Sequence, residues 1–380
     1  MNKSTKKIVF ILFIALMAVV MTACGKDSAN KDGDKSGEGL KIAIVTSPSG
    51  VDDGNFNEDN YNGILSFIEK NPTATVKDVK EPTGDPAAAV QAVADIVADY
   101  DVIVTPGFQF AGVSSIAVDN PDKIFIINDS EPAPVDGQTE FDNIYAMNFA
   151  EQESGFFAGI AAALETKTNK VAVVNGIAYP SNVNYQFGFE SGVNYANKMY
   201  GKNVEIVELS GYAGTDVTGA DVGGNYAGSF ADEETGKVIG NALINQGVDI
   251  IFVAAGGTGN GVFTAVKEAK DDVKVIGVDV DQYEDGANGS ENIVLTSAVK
   301  FMAMNIEKAL NSVVDGTFKG GNVVLYADTD STGFIKEEGH HQLSEDTLSK
   351  LNEAYELVKD GTIVPASNFN EHSPEDFPGL

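Results

Sequence analysis

The residues of this chain that are able to do chemistry gather where short β-branched runs end. After the first such run comes Val51-Asp52-Asp53-Gly54-Asn55-Phe56-Asn57, then Asn60, Tyr61 and Gly63: two acids and three amides at the start of a helical pattern, with an aromatic among them. An Asn or Asp there can cap the helix, but a cap uses one residue and leaves Phe56 and the density of amides unexplained. Stacking surface beside hydrogen-bonding groups accounts for both. Thr105-Pro106-Gly107-Phe108-Gln109-Phe110 and Asn128-Asp129-Ser130 follow two later runs, and Asp129 either faces a cleft or caps the next turn. Ala254-Ala255-Gly256-Gly257-Thr258-Gly259-Asn260-Gly261 closes another run and opens a helix. It lacks the Lys-Ser/Thr pair of a P-loop and the glycine spacing of a dinucleotide fingerprint. Its glycines are therefore expected to let the backbone approach a ligand, with helix N–H groups facing it. Asp279 and Lys300 stand at the ends of two further runs. A carboxylate that accepts beside an ammonium that donates suits a pair of vicinal hydroxyls.

Other chemistries find no pattern. Counted as a calcium loop, Asp279 puts Tyr283 at the fifth position, Asp281 puts Asn292 where a bidentate Glu belongs, and the Asp328–Asp330 stretch fails similarly. No metal and no cofactor are expected. His340, His341 and His372 all lie in the C-terminal region, and Cys24 is the only cysteine. Neither a Ser-His-Asp nor a Cys-His arrangement emerges, so an enzyme is not expected. Glu151 and Glu153 fall on different faces of a helix and are expected to be solvated or to cap it.

Composition narrows the ligand. A formal charge of −31 repels phosphate backbones and sets nucleic-acid binding aside. The chain has no arginine, hence no guanidinium fork for a carboxylate or phosphate, and no tryptophan, while Phe and Tyr are plentiful. A neutral, flat, polar ligand fits this inventory.

The elements that must carry these loops are short. Strands are expected at Lys41–Val45, Ala74–Val79, Val102–Thr105, Ile124–Ile127, Val171–Val174, Val204–Glu208, Ile250–Val253 and Val273–Val278. Helices are expected at Asn57–Lys70, Pro86–Asp99, Glu151–Leu164, Asn182–Met199, Glu233–Gln246 and Val262–Lys270. Apolar runs of this length separated by helices indicate parallel strands buried on both faces. The order reads as an α/β protein of two doubly wound lobes with a cleft between them, rather than one large sheet, and ligands sit beyond the carboxyl ends of such strands. Residues 40–149 form the expected N-lobe, completed by about 277–320. Residues 150–276 form the C-lobe, completed by about 321–380.

Ahead of both lobes, Lys3, Lys6 and Lys7 precede an apolar run from Ile8 to Met21, and Met21-Thr22-Ala23-Cys24 follows. This is a secretory signal, too short for a permanent span. Small residues before Cys24 look like a bacterial lipobox, so residues 1–23 are expected to be removed and Cys24 to carry lipid, the alternative being a buried free thiol. Residues 24–39 hold Ala29 as their only apolar side chain after the cysteine and read as a flexible tether.

Taken together, Asp53-Gly54-Asn55-Phe56-Asn57 with Gly63, Gly107-Phe108, Phe125 to Asp129, Phe187-Gly188-Phe189, Gly256-Gly257-Thr258-Gly259, Gly277-Val278-Asp279 and Lys300 resemble the basic membrane protein family, purine-nucleoside receptor lipoproteins that serve ABC importers. The resemblance implies a periplasmic-binding-protein fold with three crossings between lobes and a nucleoside, of the purine class, held in the cleft. It also implies a monomer anchored on the outer face of the cell membrane, with an ABC permease as partner. By position, Phe56 and Phe187 would sandwich the base, Asp53, Asn57 and Asp129 would bond its edges, and Gly256, Asp279 and Lys300 would hold the ribose, near Phe108. The chain departs from the family where Asn175-Gly176 replaces paired glycines. Other readings are a surface nucleoside hydrolase, and a sensor or adhesin on the same fold.

Overall fold

The structure is a computed structural model that describes residues 39–270, 272–368 and 370–380. The expected signal segment, Cys24 and the tether up to residue 38 lie outside the described residues.

The chain runs β1 (Lys41–Thr46), α1 (Phe56–Lys70), β2 (Thr75–Lys80), α2 (Pro86–Ile96), β3 (Val102–Pro106), α3 (Ser114–Asp119), β4 (Ile124–Asn128) and β5 (Ile144–Phe149). It continues as α4 (Glu151–Glu165), β6 (Lys170–Asn175), α5 (Pro180–Met199), β7 (Glu205–Ile206), a hairpin of β8 (Gly214–Thr215) and β9 (Asp221–Gly223), α6 (Glu233–Asn245), β10 (Ile250–Ala254) and α7 (Gly257–Glu268). Then come β11 (Lys274–Asp279), a hairpin of β12 (Ala287–Asn288) and β13 (Glu291–Asn292), β14 (Val294–Lys300), α8 (Met302–Val314), β15 (Gly321–Leu325), β16 (Thr332–Phe334) and α9 (Glu345–Lys359).

Two six-stranded sheets result, in the orders β15-β5-β4-β3-β1-β2 and β16-β14-β11-β10-β6-β7. Every neighbouring pair is parallel except β14 with β16. Alternate residues of the apolar strands serve opposite faces, as the two-residue period of a strand requires. In the first sheet Ile42, Ile44, Val102 and Val104 pack with Ile64 and Phe67 of α1 and Ile306 of α8. Val45, Ile103, Phe125 and Ile127 pack on the other side with Ala89 and Val93 of α2. The second sheet does the same, with Val171, Val173 and Phe252 against α4 and α5 and Ala172, Val174 and Ile251 against α6 and α7. The expected α/β architecture of two doubly wound sheets stands.

The chain passes between the sheets after β5, after β14 and after β15. The expected lobe limits need correction here. Residues 277–300 belong to the second sheet, because β14 is buried along its whole length and pairs with β11. Only α8 and β15 return to the first sheet before β16 and α9 complete the second.

Helices α4 and α5 set the floor of the second lobe. Gly155 and Gly159 on one face Gly188 and Gly192 on the other. A Cβ on Gly159 would lie 2.1 Å from the Phe189 carbonyl oxygen, and one on Gly188 2.2 Å from that of Gln152. The two backbones therefore touch, which brings the first turn of α4 beside Tyr185 of α5.

Candidate ligand-binding cleft

Strand ends from both sheets meet at one cleft. Ser47, Ser49, Asp53, Phe56 and Asn57 come from the segment after β1, Gly107 and Phe108 from the end of β3, and Asp129 from the end of β4. Tyr179 and Ser181 follow β6, Gly256 follows β10, and Asp279 and Lys300 are the last residues of β11 and β14. Asp129 and Asp279 both adopt left-handed backbone, at φ 57° and 66°. Such a conformation costs an L-residue roughly 1–2 kcal/mol, least for Asp and Asn. Here it accompanies a carboxylate on each strand end that reaches the same buried lysine.

That lysine organises the site. Lys300 is 2% exposed; its Nζ is paired with Asp129 Oδ2 and lies 3.5 Å from Asp279 Oδ1 and 3.7 Å from Glu151 Oε1. It also stands 4.8 Å from the centre of the Phe56 ring. Burial works against its charge, but the carboxylates of Asp129, Asp279 and Glu151 outweigh burial and keep its pKa above the ordinary lysine value. Burial pushes the Asp129 carboxyl up while Lys300 holds it down. Glu151 is raised to about 8, by burial first and then by the Asp129 charge. Asp129 Oδ1 receives no N–H or hydroxyl hydrogen bond, and the Glu151 carboxyl lies within reach of the Asp129 side chain. A proton retained by Glu151 at neutral pH therefore has an acceptor waiting. Asn184 Nδ2 donates to Glu151 Oε2 at 3.1 Å, and Tyr185 Oη donates to Asp279 Oδ1 at 2.9 Å. The expectation that Glu151 and Glu153 are solvated or simple caps is overturned: they are 2% and 6% exposed, because α4 is apolar on every side and buries its first turn.

A second polar cluster stands at the start of α1. Asp53 accepts from the backbone N–H groups of Asn55, Asn57 and Glu58 at 3.0–3.1 Å, which is the capping role. Burial nonetheless raises its pKa. Asn57 Nδ2 donates to Asp53 Oδ2 at 2.7 Å and to Ser47 Oγ at 3.0 Å. Since a carboxylate can only accept, this fixes the orientation of the amide. Asn57 Oδ1 is left buried and without a donor, an arrangement that a ligand N–H would complete.

The aromatic walls differ from expectation at one residue. Phe56 lines the cleft from the first lobe. Phe187 does not: it packs with Ala178, Val183 and Tyr226, since its neighbours Tyr185 and Phe189 take the inward positions of α5. Phe230, from the segment before α6, lines the cleft instead. Its carbonyl accepts from Thr258 N at 3.1 Å and from Ser49 Oγ, across the cleft, at 3.5 Å. Tyr179 lies between Phe230 and Phe108, with ring centres 6.0 and 5.1 Å away. Phe230 and Tyr179 escape sequence reasoning because neither sits directly at a strand end. Of the glycine-rich loop Ala254 and Gly256 line the cleft and the later glycines do not, because α7 begins at Gly257 and Gly261 packs against α6, where a Cβ would meet the Glu233 carbonyl oxygen at 1.9 Å.

The cleft thus gathers Asp53, Phe56, Asn57, Phe108, Asp129, Gly256, Asp279 and Lys300 and leaves out Phe187. Asp129 groups with Lys300 and Asp279 rather than with Asp53 and Asn57. The lobes touch through Phe108–Tyr179, Ser49–Phe230 and Asp129–Lys300, and about 80 Å³ remains between them. A 150 Å³ void holds no more than a benzene, so a larger ligand must part the lobes.

Comparison with known proteins bears on the family and the fold. The family model described as "ABC transporter substrate-binding protein PnrA-like" matches residues 40–209 and 218–368. A protein of Listeria innocua named CD4+ T-cell-stimulating antigen is 30% identical over 380 residues, covering 96% of this chain and 98% of the relative. A protein of Lactococcus lactis subsp. cremoris named ABC transporter nucleoside-binding protein BmpA is 30% identical over 342 residues, covering 84% and 88%. Among solved structures, a solute-binding protein of an ABC transporter system from Aeropyrum pernix superposes with a TM-score of 0.72 at 22% identity, covering 87% of this chain and 94% of the other. That likeness bears on the fold alone. The chain belongs to the PnrA-like family of ABC transporter substrate-binding proteins.

Proposed function

We propose that this protein captures a nucleoside, of the purine class, in the cleft between its lobes and delivers it to the permease of its ABC transporter. Family membership already implies a ligand and a transporter permease, met outside the cytoplasm. The observation that carries the finer reading is Lys300, buried among carboxylates of Asp129 and Asp279 with the face of Phe56 beside it. Carboxylates accept from vicinal hydroxyls and the ammonium donates to them, so this cluster takes the ribose. The base stacks on Phe56 with Phe230 as the second plate, and its N–H edge meets the free oxygen of Asn57 and the carboxylate of Asp53. Stacking contributes about 1–3 kcal/mol per base, and the sugar bonds add to it. One relative that covers most of this chain is named as nucleoside-binding.

The signal pattern ending at Cys24 supports a lipid anchor on the outer face of the membrane, with the monomer held off the surface by its tether. Among the described residues no helix is long and apolar enough to cross a membrane. Mass spectrometry of small molecules released by denaturing the purified protein tests the ligand class directly. A co-purified purine nucleoside is the expected result; an amino acid or a sugar without a base refutes it.

A further inference from the structure

Behind the Asp129–Lys300 pair lies a second chamber of about 530 Å³. It shares Phe108, Asp129 and Ser181 with the cleft, so the two spaces meet along the side of the site where the ion pair stands. Its walls are largely apolar, including Phe149, Pro180, Val324 and Tyr326, and its polar groups accept or are neutral. Glu131 stands exposed on its lining, and no lysine is among the residues that line it. Gln152 lines it too, at 8% exposure, with no hydrogen bond from its side-chain amide to any described residue. Its amide atoms remain open to solvent, so they are free to bond a group that enters the chamber. Val217 closes part of the chamber from the tip of the β8–β9 hairpin, half exposed at 50%, in the stretch between residues 209 and 218 that the family match leaves out. This wall is a property of the chain itself and lies beyond what the family model describes.

We infer that the chamber receives a substituent at the 5′ position of the bound nucleoside, one with an apolar stem and a neutral or cationic hydrogen-bonding tip. The inference rests on the nucleoside reading above. With the 2′ and 3′ hydroxyls held by Asp279 and Lys300, the 5′ carbon is the sugar position left free, and the chamber adjoins that end of the cluster through Asp129. The apolar walls suit the stem. Gln152 and Glu131 suit an amine or hydroxyl tip, and the absence of a cation in the lining leaves a 5′-phosphate unpaired beside carboxylates.

Calorimetry tests this in two steps on the purified mature chain. Adenosine, guanosine and inosine are titrated first, and the best binder sets the base for its 5′-deoxy-5′-(3-aminopropylthio) derivative and its 5′-monophosphate. The amine derivative is expected to bind within threefold of the parent or more tightly, and the monophosphate at least a hundredfold more weakly. Val217→Trp fills the chamber from its rim and should leave the parent within twofold while weakening the amine derivative at least tenfold. Gln152→Leu should weaken the derivative alone, by about threefold. An amine derivative ten times weaker than its parent on the wild-type protein overturns the inference, as does a Val217→Trp effect equal on both ligands. If no parent nucleoside binds, the nucleoside reading falls and the chamber assignment with it; if parents bind and the derivative does not, the chamber assignment alone falls.

Discussion

Replacing Glu151 by Gln should stabilise the protein, and increasingly so as pH rises from 5 to 8. Glu151 ionises near 4.5 in an unfolded chain and near 8 in the fold, where burial and the neighbouring Asp129 charge disfavour its anion. A carboxyl whose folded pKa is raised contributes stability that is fully present below about 4.5 and is lost as pH rises toward 8, because folding must then take up a proton. At pH 7 that uptake spans 2.5 pH units above the unfolded value, or about 3 kcal/mol at roughly 1.36 kcal/mol per unit. Gln keeps the shape of the protonated acid, accepts from Asn184 Nδ2 through its carbonyl and offers an N–H toward Asp129, but takes up no proton. Urea unfolding of both proteins at pH 5, 6, 7 and 8 gives the comparison. Glu153, raised by burial to about 7, and Glu190, raised by burial to about 8, act with the same sign, so the wild type itself weakens over this range. The variant should fall less steeply, with the gap widening by on the order of 3 kcal/mol between pH 5 and 8. A gap that stays constant, or that turns against the variant as pH rises, refutes a protonated Glu151 and leaves it as an anion paired with Lys300.

Three further outcomes check the cleft and the anchor. Phe230→Ala should cost about 1–3 kcal/mol of nucleoside affinity, the worth of one stacked base, whereas Phe187→Ala, off the cleft, should leave affinity unchanged in the same titration. Asp279→Ala should weaken the nucleoside by tenfold or more, about 1.4 kcal/mol, yet hardly affect the free base, and equal losses on both would move Asp279 away from the sugar. Cys24→Ser should shift the protein from the membrane fraction to the soluble one, and retention on the membrane would remove the lipid assignment.

The architecture was legible because parallel strands buried on both faces are built on apolar runs, and 42–45, 102–104 and 250–254 are apolar throughout. Two central strands whose apolar runs are broken by polar residues escaped. In β5, Ile144–Phe149, Tyr145 and Asn148 interrupt the run, and in β14, Val294–Lys300, Thr296 and Ser297 do so while remaining buried. Thr296 Oγ1 donates to the Ile335 carbonyl at 2.7 Å, and Ser297 Oγ accepts from Gln282 N at 3.1 Å. A buried hydroxyl with a partner costs little, so such a strand is stable without an apolar signature. Missing β14 is also what misplaced the boundary between the lobes.

The site was legible where a charged residue ended a strand and illegible at the start of α4. Asp279 closes an apolar run and Lys300 follows Ala298 and Val299 at the end of a mixed one, and a charge at the carboxyl end of a buried strand points to the cleft. Glu151 and Glu153 look like the acids that often begin a helix and suit its dipole. What sets them apart is the sequence behind them, Ser154-Gly155-Phe156-Phe157-Ala158-Gly159-Ile160-Ala161-Ala162-Ala163, which offers no polar face to water. A helix of that kind is buried on all sides, so polar groups in its first turn must find partners inside the protein. They find them on the other crossings between the lobes. Ala150 N donates to the Leu325 carbonyl at 2.9 Å, and Glu153 Oε2 accepts from Ala327 N at 2.8 Å and from Thr332 Oγ1 at 2.6 Å. Ser154 Oγ donates to the Val299 carbonyl at 2.8 Å and accepts from Gly333 N at 3.1 Å. One helical turn, placed directly after the first crossing, is thus bonded to the second and the third, and through Glu151 it stands against the lysine at the floor of the cleft. The buried charge of the site and the polar bonds of the crossings form one connected cluster, so a substitution in this turn acts on ligand affinity and on the joint between the lobes together.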